Sequence, residues 1–201
     1  MRFLLFSDVH CNVGKCRSIA ERAAEFDIVI GAGDFAIQRK GLEKSIDVLK
    51  VIETPTVLVP GNGESDDELR AACEGWSAAH VLHGNGCEIN GVWFYGLGGG
   101  VPPTPFGAWS FDLEEETAAS MLADCQSGGI LIVHSPPQGA VDIDSGGVHR
   151  GSPVIRQVVE TKRPKLVVCG HIHDSWEQQE QIGDSTIINA GPNGMIWTLE
   201  A

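Results

Sequence analysis

Two histidines one residue apart, His171 and His173, follow directly after the apolar run from Leu166 to Cys169. Alternate side chains of an extended backbone point to the same side, so both imidazoles should leave the end of a buried strand together. Short segments with polar residues, called stations below, follow other apolar runs in the same way: Asp8-Val9-His10, Gly33-Asp34, Gly61-Asn62 and Val133-His134. Imidazoles and carboxylates placed like this are candidates for binding metal ions.

The chemistry of these polar residues depends on which of them lie close together in the folded chain. Ligands of open α/β sheets collect outside the carboxyl ends of the strands. Residues far apart in sequence should therefore converge in space, namely Asp8, Asp34, Asn62, His134 and His171. Neutral imidazoles with carboxylates suit borderline divalent ions such as Mn, Fe, Zn or Ni, and the lack of thiolate spacing argues against a structural zinc site. The set is large enough for a dinuclear centre with one shared carboxylate.

Alternating strand and helix patterns position the first stations. Strands are predicted at 2–6, 28–30 and 56–59, with amphipathic helices at 14–26 and around 42–52. This βαβαβ order predicts parallel strands whose functional face lies at their carboxyl ends.

Capping signals mark later helices. Ser65 and Glu68 fit a capping box, so the acidic residues 66–68 are interpreted as a helix start and not as metal ligands. Asp112 is predicted to start a helix that reaches about Cys125, and Ser152 to cap one that begins with a proline. Further strands are predicted at 80–82, 88–89, 92–96, 130–133 and 166–169, and 176–199 is predicted to be an antiparallel meander. The proline-rich loop 101–107 is expected to be exposed and substrate-facing.

Composition argues against several classes of protein. The 201 residues carry a formal net charge of −13 and no basic block, so duplex nucleic acid is not an expected partner. The apolar start at 3–6 is too short for a signal peptide, and no apolar run is long enough to span a membrane. The six cysteines form no C-x-x-C pair, which favours reduced thiols. We therefore expect one cytoplasmic domain, 1–201, with no membrane partner; the sequence carries no signal for an oligomeric state.

Taken in order, the stations ending in Gly170-His171-Ile172-His173 resemble the motifs of the calcineurin-like metallophosphoesterases over nearly the whole chain. The resemblance implies a four-layer α/β/β/α sandwich of two mixed sheets flanked by helices. It also implies two divalent metal ions, with Mn the first candidate and Fe, Zn, Ni or Mg as alternatives. The implied ligands are Asp8, His10 and His173 for one ion, Asn62, His134 and His171 for the other, and Asp34 as the bridge. Segments 98–99, 103–106 and 149–152 resemble a small prokaryotic subgroup akin to the cyclic nucleotide phosphodiesterases.

The activity implied by the resemblance is hydrolysis of a phosphate ester by a hydroxide held between the two ions. Gly63 departs from the family pattern, which usually has His, or in some branches Cys, directly after the asparagine at Asn62. That His is commonly assigned to protonating the leaving group, so phosphodiesters or activated esters should be preferred over alkyl monoesters. Asn62 is expected to act at the reaction centre, and Gly63 to line the position of a small phosphate ester, nucleotides included.

A second group of candidates precedes the helix predicted at Pro153. Arg150 could donate paired hydrogen bonds to a phosphate, and His149 could supply the proton that Gly63 cannot. The alternative is that Ser152 only caps the helix and that Arg150 and His149 are solvated.

Two rival interpretations use the same residues. The segment 31–36 fits a dinucleotide-binding fingerprint, but it follows the second strand and would place Asp34 against pyrophosphate. The other rival is a catalytically weak protein of the phosphoesterase fold that serves as a nucleotide-binding or scaffolding module. Gly63 is the only feature that favours it, whereas the complete set of histidines favours catalysis.

Overall fold

The computed structural model describes residues 1–200 and contains eleven strands and five α-helices within that range. The strands are β1 (Arg2–Phe6), β2 (Ile28–Gly31), β3 (Thr56–Leu58), β4 (Ala79–Val81), β5 (Asn85–Ile89), β6 (Val92–Leu97), β7 (Ile130–Val133), β8 (Leu166–Cys169), β9 (Gln178–Ile182), β10 (Ser185–Asn189) and β11 (Met195–Thr198). The helices are α1 (Val13–Arg22), α2 (Leu42–Leu49), α3 (Asp66–Ala72), α4 (Glu115–Leu122) and α5 (Pro153–Lys162). Short 3-10 turns lie at Ala23–Glu25 and His173–Ser175.

The strands form two mixed sheets. The first has the order β11-β1-β2-β3-β4, in which β1 to β4 are parallel and β11 is antiparallel. The second has the order β5-β6-β7-β8-β10-β9, with a parallel centre and antiparallel strands at both edges. The parallel βαβαβ start predicted from the sequence is confirmed.

Alternate side chains of each strand enter different apolar layers. Leu4 and Phe6 of β1 pack with α1 and α2, whereas Phe3 and Leu5 face Phe94 and the other apolar side chains of the second sheet. On the far side of the second sheet, a third apolar layer joins alternate residues of β7 and β8 to α4 and α5. Each fully buried Leu or Phe contributes roughly 1.5–3 kcal/mol. The four-layer α/β/β/α arrangement is confirmed, and its central layer joins the two sheets.

The predicted helix starts are confirmed in two places and wrong in one. Ser65 accepts the backbone N–H of Glu68, whose side chain accepts that of Ser65, and Ser152 caps α5 ahead of its first-turn proline. Asp112 caps nothing, because α4 begins three residues later, at Glu115. The Asp112 carboxylate instead accepts hydrogen bonds from the backbone N–H and hydroxyl of Thr104, each at 2.9 Å.

The predicted C-terminal meander is also wrong. β9 and β10 form an antiparallel hairpin, but β10 lies parallel to β8, and β11 crosses to the other sheet and pairs with β1. An alternating pattern predicts that a segment is a strand. It does not predict which strand the segment pairs with, because pairing depends on the register and packing of the whole sheet. None of the helices within residues 1–200 is long and apolar enough to cross a bilayer.

Candidate metal centre

Loops that leave the carboxyl ends of five strands converge at one end of the two packed sheets. The loops after β1, β2 and β3 come from the first sheet, and those after β7 and β8 come from the second. They bring together all the residues predicted as ligands: Asp8, His10, Asp34, Asn62, His134, His171 and His173. The convergence expected from the strand-end stations is therefore what the fold produces.

The first group of side chains consists of Asp8, His10 and His173. Their candidate ligand atoms lie within 4.8 Å of one another. Nε2 of His10 lies 3.2 Å from Nε2 of His173, and Oδ1 of Asp8 lies 3.7 Å from the latter. His10 Nδ1 is 3.2 Å from the carbonyl oxygen of Ala36, to which it donates when the ring is neutral, leaving the lone pair on Nε2. This group can offer one carboxylate oxygen and two imidazole nitrogens to a metal ion.

The second group consists of Asn62, His134 and His171. Oδ1 of Asn62 is 3.2 Å from Nε2 of His134 and 3.1 Å from Nδ1 of His171. His134 Nδ1 is bonded to the carbonyl oxygen of Ala32 at 2.8 Å, so a neutral His134 carries its lone pair on Nε2. Asn62 Nδ2 donates to Ser110 Oγ at 2.9 Å, so its oxygen turns inward. When His134 is neutral, the lone pair on its Nε2 faces a lone pair on Asn62 Oδ1, and a cation bound between these two atoms would remove their repulsion.

Asp34 lies between the two groups and faces both. Its Oδ2 is 3.7 Å from Nε2 of His10, and its Oδ1 is 3.5 Å from Nε2 of His134. The backbone N–H of Gly63 donates to the same Oδ1 at 2.7 Å and fixes the carboxylate orientation. One carboxylate oxygen toward each group is the arrangement that a bridging ligand requires, and the donor set fits two divalent ions.

Burial and charge set the protonation of this cluster. Burial, together with the nearby His134, lowers the pKa of His171 to about 3, so its ring is neutral at physiological pH and able to bind metal. Burial would lower the pKa of His134, but Asp34 and Asp8 outweigh it and raise that pKa. Burial would likewise raise the pKa of Asp34, yet the facing His134 and His10 lower it. Asp34 is therefore ionised, as a bridging carboxylate must be.

Four of the seven residues have a strained backbone. Asp8, His10, Asp34 and His171 have φ angles of 53°, 42°, 58° and 67°, in the left-handed region that side chains with a Cβ rarely adopt. Such strain costs about 1–3 kcal/mol per residue and concentrates at functional sites. It also overturns one prediction, because His171 and His173 do not alternate along an extended strand. A left-handed turn at His171 followed by a 3-10 turn brings both rings to the centre.

Glycines allow the loops to approach closely. A Cβ on Gly61 would lie 2.1 Å from the backbone nitrogen of Asp34, and one on Gly170 would lie 2.2 Å from Oδ2 of Asp8. The glycine that precedes each of these stations is therefore needed for packing, and either Gly→Ala change would displace a candidate ligand.

Glu64 was not identified as a site residue from the sequence. It is fully buried, and its carboxylate accepts the N–H groups of Gly61 at 2.7 Å, Ala36 at 2.9 Å and Phe35 at 3.3 Å. These bonds join the loop after β2 to the loop after β3. Burial and the neighbouring Asp34 charge raise the pKa of Glu64 to about 7. The sequence did hold one signal for Glu64. It lies directly before Ser65, so the capping box that accounts for the acidic residues 66–68 does not account for it.

The remaining predicted residues make hydrogen bonds of their own. Gly63 contributes its N–H to Asp34, so that N–H is already engaged. His149 donates from Nδ1 to Oδ1 of the buried Asp142 at 2.6 Å, and Arg150 pairs with Asp144 at 2.7 Å. The start of α5 is also occupied, since one Glu115 carboxylate oxygen accepts from Ser152 Oγ at 2.8 Å and from the N–H of Val154 at 3.0 Å. The substrate roles of Arg150 and His149 stay predictions.

The fold and the paired ligand groups together define a protein of the metallophosphoesterase class. The sequence profile described as metallophosphoesterase, calcineurin superfamily, matches residues 19–194, so this chain belongs to that family. The matched range begins after Asp8 and His10, which the resemblance and the geometry link to the other residues.

Solved structures share this architecture at low sequence identity. TT1561 of Thermus thermophilus has a TM-score of 0.77 at 16% identity, with 96% of this chain and 90% of that chain covered. The phosphopantetheinyl hydrolase PptH from Mycobacterium tuberculosis has a TM-score of 0.64 at 15% identity, with 94% and 88% covered. A dimetal phosphatase from Danio rerio has a TM-score of 0.63 at 12% identity, with 96% and 88% covered. At these identities the likeness shows the fold, and no curated protein sequence matches this chain.

Proposed function

We propose that this chain is a hydrolase that uses two divalent metal ions to cleave small phosphate esters. The observation that supports this most is the position of Asp34, with one carboxylate oxygen toward His10 and the other toward His134. A carboxylate shared by two histidine-containing groups is suited to a dinuclear centre. Mn is the first candidate metal, and Fe, Zn, Ni or Mg are alternatives, because the donors are oxygen and imidazole nitrogen.

The chain's own residues would orient the side chains that bind the two ions. Two divalent ions, when bound, supply the Lewis acidity that activates water and compensates the charge of a phosphate. Gly63 N–H holds Asp34 between the two groups, and Ser110 turns the Asn62 oxygen inward. Neutral His171 adds a ligand without repelling the ions.

We propose that phosphodiesters and activated esters are better substrates than alkyl monoesters. Gly63 has no titratable side chain, so nothing at that position can protonate the leaving oxygen. A leaving group that departs without help must be a weak base. Activated esters such as p-nitrophenyl phosphates meet this requirement, and the net charge of −13 disfavours duplex nucleic acid.

A substrate panel tests the proposal. Mn-loaded protein is assayed with bis-p-nitrophenyl phosphate, cyclic AMP, AMP and a phosphopeptide, and metal content is measured in parallel. We expect the diesters to be hydrolysed faster than the alkyl monoesters. Asp34→Asn should lower the metal content, and it should lower activity by more than the roughly 10–100-fold that loss of an outer-shell partner costs.

The control is Asp67→Asn, which removes an exposed carboxylate of α3 and should leave both quantities unchanged. Equal metal content in the wild type and Asp34→Asn would disprove the centre, and faster turnover of alkyl monoesters would disprove the preference. Full metal loading without activity on any substrate would favour the scaffolding or nucleotide-binding alternative.

A further inference from the structure

A pair of aromatic side chains, with Phe106 exposed and Trp109 half-buried, lies on the loop between β6 and α4. The rings of Phe106 and Trp109 are stacked, with centroids 5.5 Å apart and planes inclined by 8°. Phe106 is 52% exposed, although a large apolar side chain gains by leaving water. Phe106 therefore presents an apolar surface to solvent, and the half-buried Trp109 is stacked against it.

The loop is tied directly to the candidate metal centre. Asn62 Nδ2 donates to Ser110 Oγ at 2.9 Å, and the N–H of Phe111 donates to the backbone oxygen of Asn62, also at 2.9 Å. Trp109 is the residue immediately before these two anchors. The aromatic pair thus belongs to a loop that is fixed directly to Asn62.

The loop is also internally braced. The Asp112 carboxylate accepts the N–H and hydroxyl of Thr104, each at 2.9 Å, and the hydroxyl of Ser110 at 2.8 Å. The loop contains three prolines, which limit its backbone freedom. A braced aromatic surface loses little conformational entropy when a ligand stacks on it.

Other exposed apolar side chains lie in segments that follow strand ends. Within residues 1–200, seven large apolar side chains are exposed, and five of them lie in the segments that follow β1, β2, β6 and β7: Val13, Ile37, Phe106, Ile143 and Val148. Val13 begins α1 directly after the His10 loop, and Ile143 is bonded through its N–H to Ser175 of the His173 turn at 3.1 Å.

We propose that Phe106 and Trp109 form a stacking platform for a flat aromatic group of the substrate, such as a nucleobase or an aryl leaving group. The proposal rests on the proposed function, because the phosphate of the same molecule would lie at the metal centre. The ions at the metal centre would bind the phosphate, and the platform would favour esters that carry a flat aromatic group.

Product binding tests the platform without turnover. AMP and ribose 5-phosphate carry the same type of phosphate, but only AMP has a base, and both are titrated calorimetrically into Mn-loaded protein. We expect AMP to bind about tenfold more tightly or better, as one base stacked on an aromatic side chain provides. Trp109→Ala should reduce the AMP affinity to that of ribose 5-phosphate and leave ribose 5-phosphate binding unchanged.

Two further variants complete the design. Phe106→Ala should weaken AMP binding selectively even if Trp109→Ala fails to fold. Val51→Ala, which removes an exposed apolar side chain just after α2, should have no effect. Phenyl phosphate compared with methyl phosphate shows whether any flat group suffices or a nucleobase is required, and a platform effect with either pair supports the proposal.

Equal affinity of wild-type protein for AMP and ribose 5-phosphate, together with equal affinity for phenyl and methyl phosphate, would overturn the platform. An equal loss of AMP and ribose 5-phosphate binding in Trp109→Ala would do the same. Hydrolysis of bis-p-nitrophenyl phosphate is measured separately. Inactivity combined with selective AMP binding would refute the proposed function and leave the platform intact, whereas activity without selective binding would refute only the platform.

Discussion

A single amide orientation at Asn62 decides what the second ligand group can bind. Rotated by half a turn, this side chain would present its NH2 group to a cation. Ser110 prevents the rotation, because its hydroxyl accepts from Asn62 Nδ2 at 2.9 Å and donates to Oδ1 of Asp112 at 2.8 Å. Outer-shell partners of this kind commonly tune metal affinity.

We therefore expect Ser110→Ala to weaken the binding of one of the two ions by about tenfold or more. The ion held by Asp8, His10 and His173 should be unaffected, so a metal titration that resolves two steps would show a shift in only one. Ser120→Ala is the matched control, since its hydroxyl on α4 is exposed and bonds only the nearby backbone oxygen of Glu116. Unchanged affinity for both ions in Ser110→Ala would contradict the positioning role.

On the scale of elements, the loop between β7 and α5 could supply the proton that Gly63 cannot. The buried Asp142 accepts the N–H groups of Gly139 at 3.0 Å and Gly151 at 2.9 Å, and it orients His149 from the same loop. The loop is also bonded to the His173–Ser175 turn, where the N–H of Ser145 donates to Asp174 at 2.9 Å. The His149 side chain is 51% exposed, with Nε2 on the side opposite the aspartate bond.

We predict that His149→Ala lowers kcat most for esters with poor leaving groups, by about 10²-fold or more, because general acid catalysis contributes that much. Esters of p-nitrophenol should be nearly unaffected, and metal content should not change. Arg150→Ala should mainly raise KM, and Val148→Ala serves as the control in the same loop. Wild-type kinetics in both charged-residue variants would leave only the helix-capping role of Ser152.

On the scale of the whole molecule, the candidate metal centre draws its side chains from both sheets. Asp8, Asp34 and Asn62 follow strands of the first sheet, whereas His134, His171 and His173 follow strands of the second. Without cations, the buried carboxylates of Asp8 and Asp34 repel each other at this end of the two sheets. Ions that bind the folded chain and not the unfolded one must stabilise the folded state.

Metal removal should therefore lower the stability of the whole protein. At an ion concentration 100 times Kd, one bound ion contributes about 2.7 kcal/mol, which corresponds to a Tm shift of about 5–10 °C for a chain of this size. Thermal unfolding with Mn²⁺ and with EDTA measures the shift, and Asp34→Asn should have a much smaller one. A shift of the same size in both proteins would mean that Mn²⁺ stabilises the chain elsewhere.

Much of this organisation is local in sequence and could be predicted from it. Continuous apolar runs such as 130–133 and 166–169 mark strands buried on both faces, and Ser65 with Glu68 marks a helix start, because strand periodicity and capping depend on neighbouring residues. The predicted ligands could also be found, since each lies within a few residues of a strand end.

Only the tertiary structure decided contacts between distant segments. It placed β11 in the first sheet beside β1, although the tail alone suggested a meander. It paired Asn62 with Ser110, 48 residues away, and buried Glu64 between two loops. It also put His171 in a left-handed turn, where strand periodicity had predicted an extended backbone. Periodicity and capping are local signals, whereas strand neighbours, outer-shell bonds and backbone strain arise when the packed core holds separate segments together.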